Sequence, residues 1–253
     1  MLTLLPRLFQ RAPALDPESR AWIEAVFDWS AAQSGWRRML DQVHLVCPTA
    51  EHFPGRADNA PQMAQIVFDR VLEHAGLTDS PFRLAHAGGL MDNPIAWDTL
   101  ATPVAETAPT AGLVRIPYDP HLVPHSEALI AHFSREIALR LLPTAEHSAP
   151  AAEHNTPHIA ELLAVQLGFG IMLANTAFHA RVNGCGACKG PSAEREAALS
   201  RDDLAYALAL FCQRKGIPPR RARPYLNAPL RTAFRHAVRD VARSAQTRSS
   251  GAA

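Results

Sequence analysis

Residues 126–142 read Ser-Glu-Ala-Leu-Ile-Ala-His-Phe-Ser-Arg-Glu-Ile-Ala-Leu-Arg-Leu-Leu and run into Pro143. Leu129, Ile130, Phe133, Ile137, Leu141 and Leu142 recur at helical spacing, so the stretch predicts a helix with a broad apolar face, ended by the proline. A longer apolar run follows from Leu162 to Phe178, and Thr156-Pro157 predicts its start. Gln166, Gly168, Gly170 and Asn175 interrupt that run before it reaches the roughly 20 residues a bilayer requires. A buried core helix is therefore expected there, with no membrane span.

Other helices mark their own ends. Asp16-Pro17 supplies an N-cap and a first-turn proline ahead of Trp22, Ile23, Val26 and Phe27, and Gly35 is the expected stop. Asn59-Ala60-Pro61 opens a second, which Gly76-Leu77 should close. Ser200 with Asp203 resembles a capping box for a helix ending at Lys215-Gly216, and Asn227-Ala228-Pro229 opens the last. Strand character is confined to Val43–Cys47, Phe82–Ala85 and Leu113–Tyr118. The segments 87–112 and 143–155 read as long loops, and 244–253 as a mobile tail. One mainly helical α+β domain over 1–243, with a small sheet and the motif helix at 126–142, is the economical fold class.

The chain has 253 residues, 47% of them hydrophobic, which suits a globular core and excludes disordered or fibrous classes. The formal charge is only +1. Four cysteines are too few and too scattered for a secreted disulfide scaffold, and Pro6 and Arg7 interrupt any signal-peptide-like start. Reduced thiols and a cytoplasmic location are expected.

Four blocks carry a family resemblance: residues 43–54 (Val-His-Leu-Val-Cys-Pro-Thr-Ala-Glu-His-Phe-Pro), 129–142, 161–175 and 204–211. Together they resemble an uncharacterised bacterial protein family whose members carry an HExxH helix like that of zinc metallopeptidases. The resemblance runs in blocks over most of residues 40–240. It implies a zincin-like helix at 126–142, followed by a helix on which Glu161 stands where a third metal ligand would be.

The ligand positions themselves are altered. HExxH places two imidazoles one turn apart on one helix face, both reaching a tetrahedral Zn²⁺, and the glutamate beside the first takes a proton from the metal-bound water. Here the pentad is Arg135-Glu136-Ile137-Ala138-Leu139. Arginine has no lone pair to give and leucine has no donor atom. Glu136 keeps the general-base position without a metal-bound water to act on. A bidentate Arg135–Glu161 pair would fill the space of the metal. No cofactor is then expected, and the protein would act by binding a protein or peptide partner.

An alternative keeps zinc possible. His132 and Glu136 are spaced i,i+4, and His158 and Glu161 i,i+3, so two helix faces could converge into a rebuilt site for a metal-dependent hydrolase. Cys185-Gly-Ala-Cys188 is half of a zinc site that His179 and Cys212 could complete. The same motif also reads as a redox pair or as a loop with two incidental thiols.

Charge is unevenly spread. Residues 201–250 hold eleven Arg or Lys against three Asp, a net +8 that leaves −7 for the remainder. Arg214-Lys215 and Arg220-Arg221-Ala-Arg223 could meet phosphates, but few aromatics lie among them and no nucleic-acid motif is present, so nucleic acid is set aside. No Gly-rich phosphate loop or nucleophile elbow occurs, which removes nucleotide enzymes and serine hydrolases.

Overall fold

The structure, a computed structural model, describes residues 15–85, 112–181, 192–195 and 197–251. Helix dominates these residues, in one mainly helical α+β domain. In α1 (Pro17–Ala32) the Asp16 carboxylate accepts from the amides of Glu18 and Ser19. Gly35 is not the stop. The chain leaves helical geometry two residues earlier, at Gln33, and restarts as α2 (Ser34–Gln42). Gln33 is buried, and its side chain holds the break in place. Its Nε2 donates to the Trp29 carbonyl at 2.9 Å, and its Oε1 accepts from the Glu146 amide at 2.8 Å.

The next helix is α3 (Ala60–His74), capped by Asn59 and closed where Leu77 N–H donates to the Leu72 carbonyl at 2.8 Å across Gly76, whose φ is +69°. The motif helix is α4 (Ser126–Leu141). After it, α5 (Ala152–Ala164) starts one turn before the expected Thr156-Pro157 boundary, so Pro157 lies inside it. The carbonyl that proline leaves without an amide is that of exposed Glu153, where water can serve. A π-helical turn (Val165–Phe169) joins α5 to α6 (Gly170–Thr176). The capping box of Ser200 and Asp203 opens α7 (Arg201–Arg214), and α8 (Ala228–Gly251) closes the chain. It continues through most of the stretch that composition marks as a tail.

The sheets are small. β1 (Phe82–Leu84) and β2 (Val114–Ile116) pair in parallel with Phe82 opposite Val114 and Leu84 opposite Ile116, as two of the three strand-like stretches predict. β3 (Phe178–Arg181) and β4 (Ser192–Arg195) form an antiparallel pair that hydropathy gives no hint of. Val43–Cys47 is a correction. It is extended and buries Val43, Leu45, Val46 and Cys47, yet it pairs with no strand among the described residues; it lies along the π-helical turn, with the Val46 amide donating to the Gly168 carbonyl at 3.1 Å.

That contact explains Gly168. Its φ is +99°, and a Cβ there would stand 2.2 Å from the His44 carbonyl oxygen, so only glycine admits the strap. At Gly170 a Cβ would meet Leu208 of α7 at 3.0 Å, which fits close helix packing. The run Ala152–Thr176 is long and apolar enough by composition to cross a bilayer, and 94% of its most apolar window is buried inside the fold. It packs on α1, α4 and α7 and forms the centre of the core. Each fully buried Leu, Ile or Phe there, such as Leu167 and Phe169, contributes about 1.5–3 kcal/mol.

Candidate functional site

Arg135 and Glu161 lie where α4, α5 and the approach to α7 meet. Glu161 is only 2% exposed, so its carboxylate must be paired to be tolerated. Three donors surround it. Arg135 Nε reaches Oε1 at 2.9 Å, the Ala198 amide reaches Oε1 at 3.0 Å, and the Leu199 amide reaches Oε2 at 2.8 Å. Both amides immediately precede the Ser200 cap, so the carboxylate also lies by the positive end of the α7 dipole. The expected bidentate fork is therefore only half formed. Arg135 contributes one bond, its Nη2 is buried without a hydrogen-bond partner among the described residues, and backbone amides supply the rest.

The other motif residues have gone elsewhere. Glu136 Oε2 pairs with Arg140 Nη1 at 3.0 Å one turn along α4, where both side chains are partly exposed. Leu139 is partly buried and packs on the core. His132 Nε2 donates to the Pro117 carbonyl at 2.7 Å, which ties α4 to the segment leaving β2. His158 meets the edge of Trp22 with ring centroids 6.4 Å apart, and its buried Nδ1 has no hydrogen-bond partner among the described residues. The fold thus does not bring His132, Glu136, His158 and Glu161 to one point. Among the described residues no three His, Cys, Asp or Glu side chains form a group able to hold a metal ion.

The resemblance implies a zinc ion, and the donor atoms here decide whether one fits. Positions 135 and 139 offer no ligand atom, and both oxygens of Glu161 already accept hydrogen bonds. The residues do not fit the ion.

Cys185 and Cys188 lie outside the described residues, between β3 and β4, so the motif follows a strand as well as α6. Cys212 is 1% exposed inside α7. Burial, with neighbouring Cys47 adding to it, pushes its thiol up to about 12, and burial also raises Cys47. Neither thiol is poised for thiolate chemistry.

One cluster has no counterpart in the motif reading. His44 and His52 of the segment after α2 stack on each other and meet His74 at the end of α3, with ring centroids 5.1–5.9 Å apart. Thr49 Oγ1 bonds His52 Nδ1 at 3.0 Å, and His74 Nε2 bonds the His52 carbonyl at 2.8 Å. Burial lowers all three imidazoles from their ordinary range, and each has a neighbouring imidazole that lowers it further. The pairing of His44 and His52 within one quoted block is the sequence feature that could have indicated it.

A polar junction completes the map. Asn175 Nδ2 donates to Glu127 Oε2 at 2.7 Å and to the Tyr225 carbonyl at 2.8 Å, and Asn175 Oδ1 accepts from the Asn227 amide at 3.0 Å. It fastens the turn before α8 to α4 and α6. When the chain is compared with protein-family models, with curated proteins and with solved structures, none matches.

Proposed function

We propose that this is a metallopeptidase-like protein whose zinc motif has been converted into a structural ion pair, and that it acts by binding a partner rather than by hydrolysing peptides. The observation that carries the reading is the Glu161 carboxylate, which accepts from the Arg135 guanidinium and two backbone amides. A fixed cation on the protein takes the electrostatic place of the ion, so Glu161 is charge-compensated without a metal. Glu136, the residue at the general-base position, is held by Arg140. It has no reacting group to serve and is read as a solubilising i,i+4 pair.

The test is a peptidase assay on an unstructured protein substrate in the presence of added zinc, run on the natural protein and on Glu136→Gln. Equal background rates for both support the reading. A zinc-dependent rate lost in Glu136→Gln would favour a metal-dependent hydrolase instead.

A further inference from the structure

Residues 220–239 hold six arginines, and the fold brings three that are scattered in sequence to one cavity. Arg220, Arg223, Pro224 and Arg231 line a single open cavity of about 440 Å³. Arg220 and Arg223 belong to two successive 3₁₀ turns, Pro219–Arg221 and Arg223–Tyr225. Arg231 comes from the first turn of α8 and is aimed by the backbone. Its Nε donates to the Leu226 carbonyl at 2.7 Å and its Nη2 to the Pro224 carbonyl at 3.4 Å. From there Arg231, Arg235 and Arg239 repeat at i,i+4 and are all exposed. Successive guanidiniums thus emerge about 6 Å apart along the helix axis.

None of Arg220, Arg223, Arg231, Arg235 and Arg239 has an ion-pair partner among the described residues. Like charges at i,i+4 oppose helix formation, so the stripe is unfavourable for the isolated chain and becomes favourable once a polyanion lies along it. Tyr225 ends the 3₁₀ turn that supplies Arg223 and Pro224 to this cavity. It is one of two large apolar side chains exposed among the described residues, at 38%, and the Asn175 junction fixes its backbone. An aromatic platform beside a row of cations is the pairing that single strands use: phosphates track the charges while a base stacks on the ring.

Membrane attachment fits less well. The apolar side of α8, with Leu230, Phe234, Ala237 and Val241, is buried against the rest of the protein and is not available to acyl chains. We therefore propose that the surface formed by Arg220, Arg223, Tyr225, Arg231, Arg235 and Arg239 binds single-stranded nucleic acid through its phosphates and one stacked base. Its arginines are assigned to phosphates, and a stacked base contributes through its face alone, so recognition is independent of sequence. This stands apart from the motif-helix reading and uses none of its residues.

The test is fluorescence anisotropy with end-labelled dT12 and U12 across 50–200 mM salt, with circular dichroism to verify that each variant is folded. Binding should weaken with salt, with a log–log slope of about −3.5 if five phosphates are engaged. Arg235→Glu/Arg239→Glu should weaken binding at least tenfold and reduce the steepness of the slope by about 1.4. Arg235→Lys/Arg239→Lys should restore it. Tyr225→Ala should cost roughly five- to a hundredfold with the slope unchanged, the mark of a lost stack. The proposal is overturned by absence of binding at 50 mM salt, by binding that survives both the charge reversals and Tyr225→Ala, or by tighter binding to phosphatidylserine vesicles or polyglutamate than to dT12 and U12.

Discussion

Arg135 Nε and Glu161 Oε1 meet at 2.9 Å across two helices, at the positions where the resemblance puts the first and third ligands of a zinc ion. The pair is nearly sealed, with side chains 20% and 3% exposed, and Glu161 also anchors the two amides before α7. Glu161→Ala should therefore destabilise the fold by about 3–5 kcal/mol, because it strands a partly buried cation and two amides at once. Arg135→Ala should cost less, since the amides still hold the carboxylate. Urea denaturation of both single variants and the double variant gives the coupling.

Gly168→Ala tests the strap. The new methyl group would meet the His44 carbonyl oxygen at 2.2 Å in a backbone conformation that alanine resists. The expected loss is on the order of 3 kcal/mol or more. Gly216→Ala, where nothing lies within 4 Å of the added Cβ at φ +63°, should cost only its backbone strain and serves as the comparison.

The His44–His52–His74 cluster makes stability depend on pH. Burial lowers the folded imidazoles below their ordinary value of 6.5, so the unfolded chain takes up protons first as pH falls. Stability contributed by their neutral form is present above pH 6.5 and is lost as the pH drops from there through the lowered folded values. Glu51 and Glu73 oppose the shift in His52 and His74, and Arg221 and Arg70 reinforce it. Melting temperature measured from pH 8 to pH 5 should fall at the acid end, and His74→Gln should flatten that fall.

The buried thiols should be silent. With Cys212 raised to about 12 and Cys47 also raised, neither should be alkylated by iodoacetamide at pH 8 in the folded protein. Both should label in denaturant, as read by peptide mass spectrometry. Rapid native labelling of Cys212 would contradict the packing of α7.

Helix positions were legible wherever a cap was local. Asp16, Asn59 and Ser200 each bond an amide two or three residues on, and each start falls where the sequence places it. What sequence could not give depended on partners far along the chain. Gln33 breaks α1 because Glu146 supplies an amide, and Val43–Cys47 has strand composition yet gives its Val46 amide to a kink more than a hundred residues away. At the site, that positions 135 and 139 carry no metal-ligating atom could be read from Arg135 and Leu139 alone. The two amides that take half of the expected arginine fork could not, because backbone donors leave no trace in residue identity. The basic stretch at 220–223 could be read from sequence as a phosphate contact, but not that Arg231 joins it at one cavity, because that depends on how the turns before α8 fold.

The most direct test of the converted-site account is zinc stoichiometry by elemental analysis after dialysis, on the natural protein, on Arg135→His/Leu139→His, and on each with Glu161→Ala. The double variant restores two imidazoles at i,i+4 beside Glu136 and frees Glu161 to be the third ligand. The account predicts close to one zinc in the double variant, lost on Glu161→Ala, and no Glu161-dependent zinc in the natural protein. One tightly held zinc in the natural protein that disappears on Glu161→Ala or His132→Ala would contradict it.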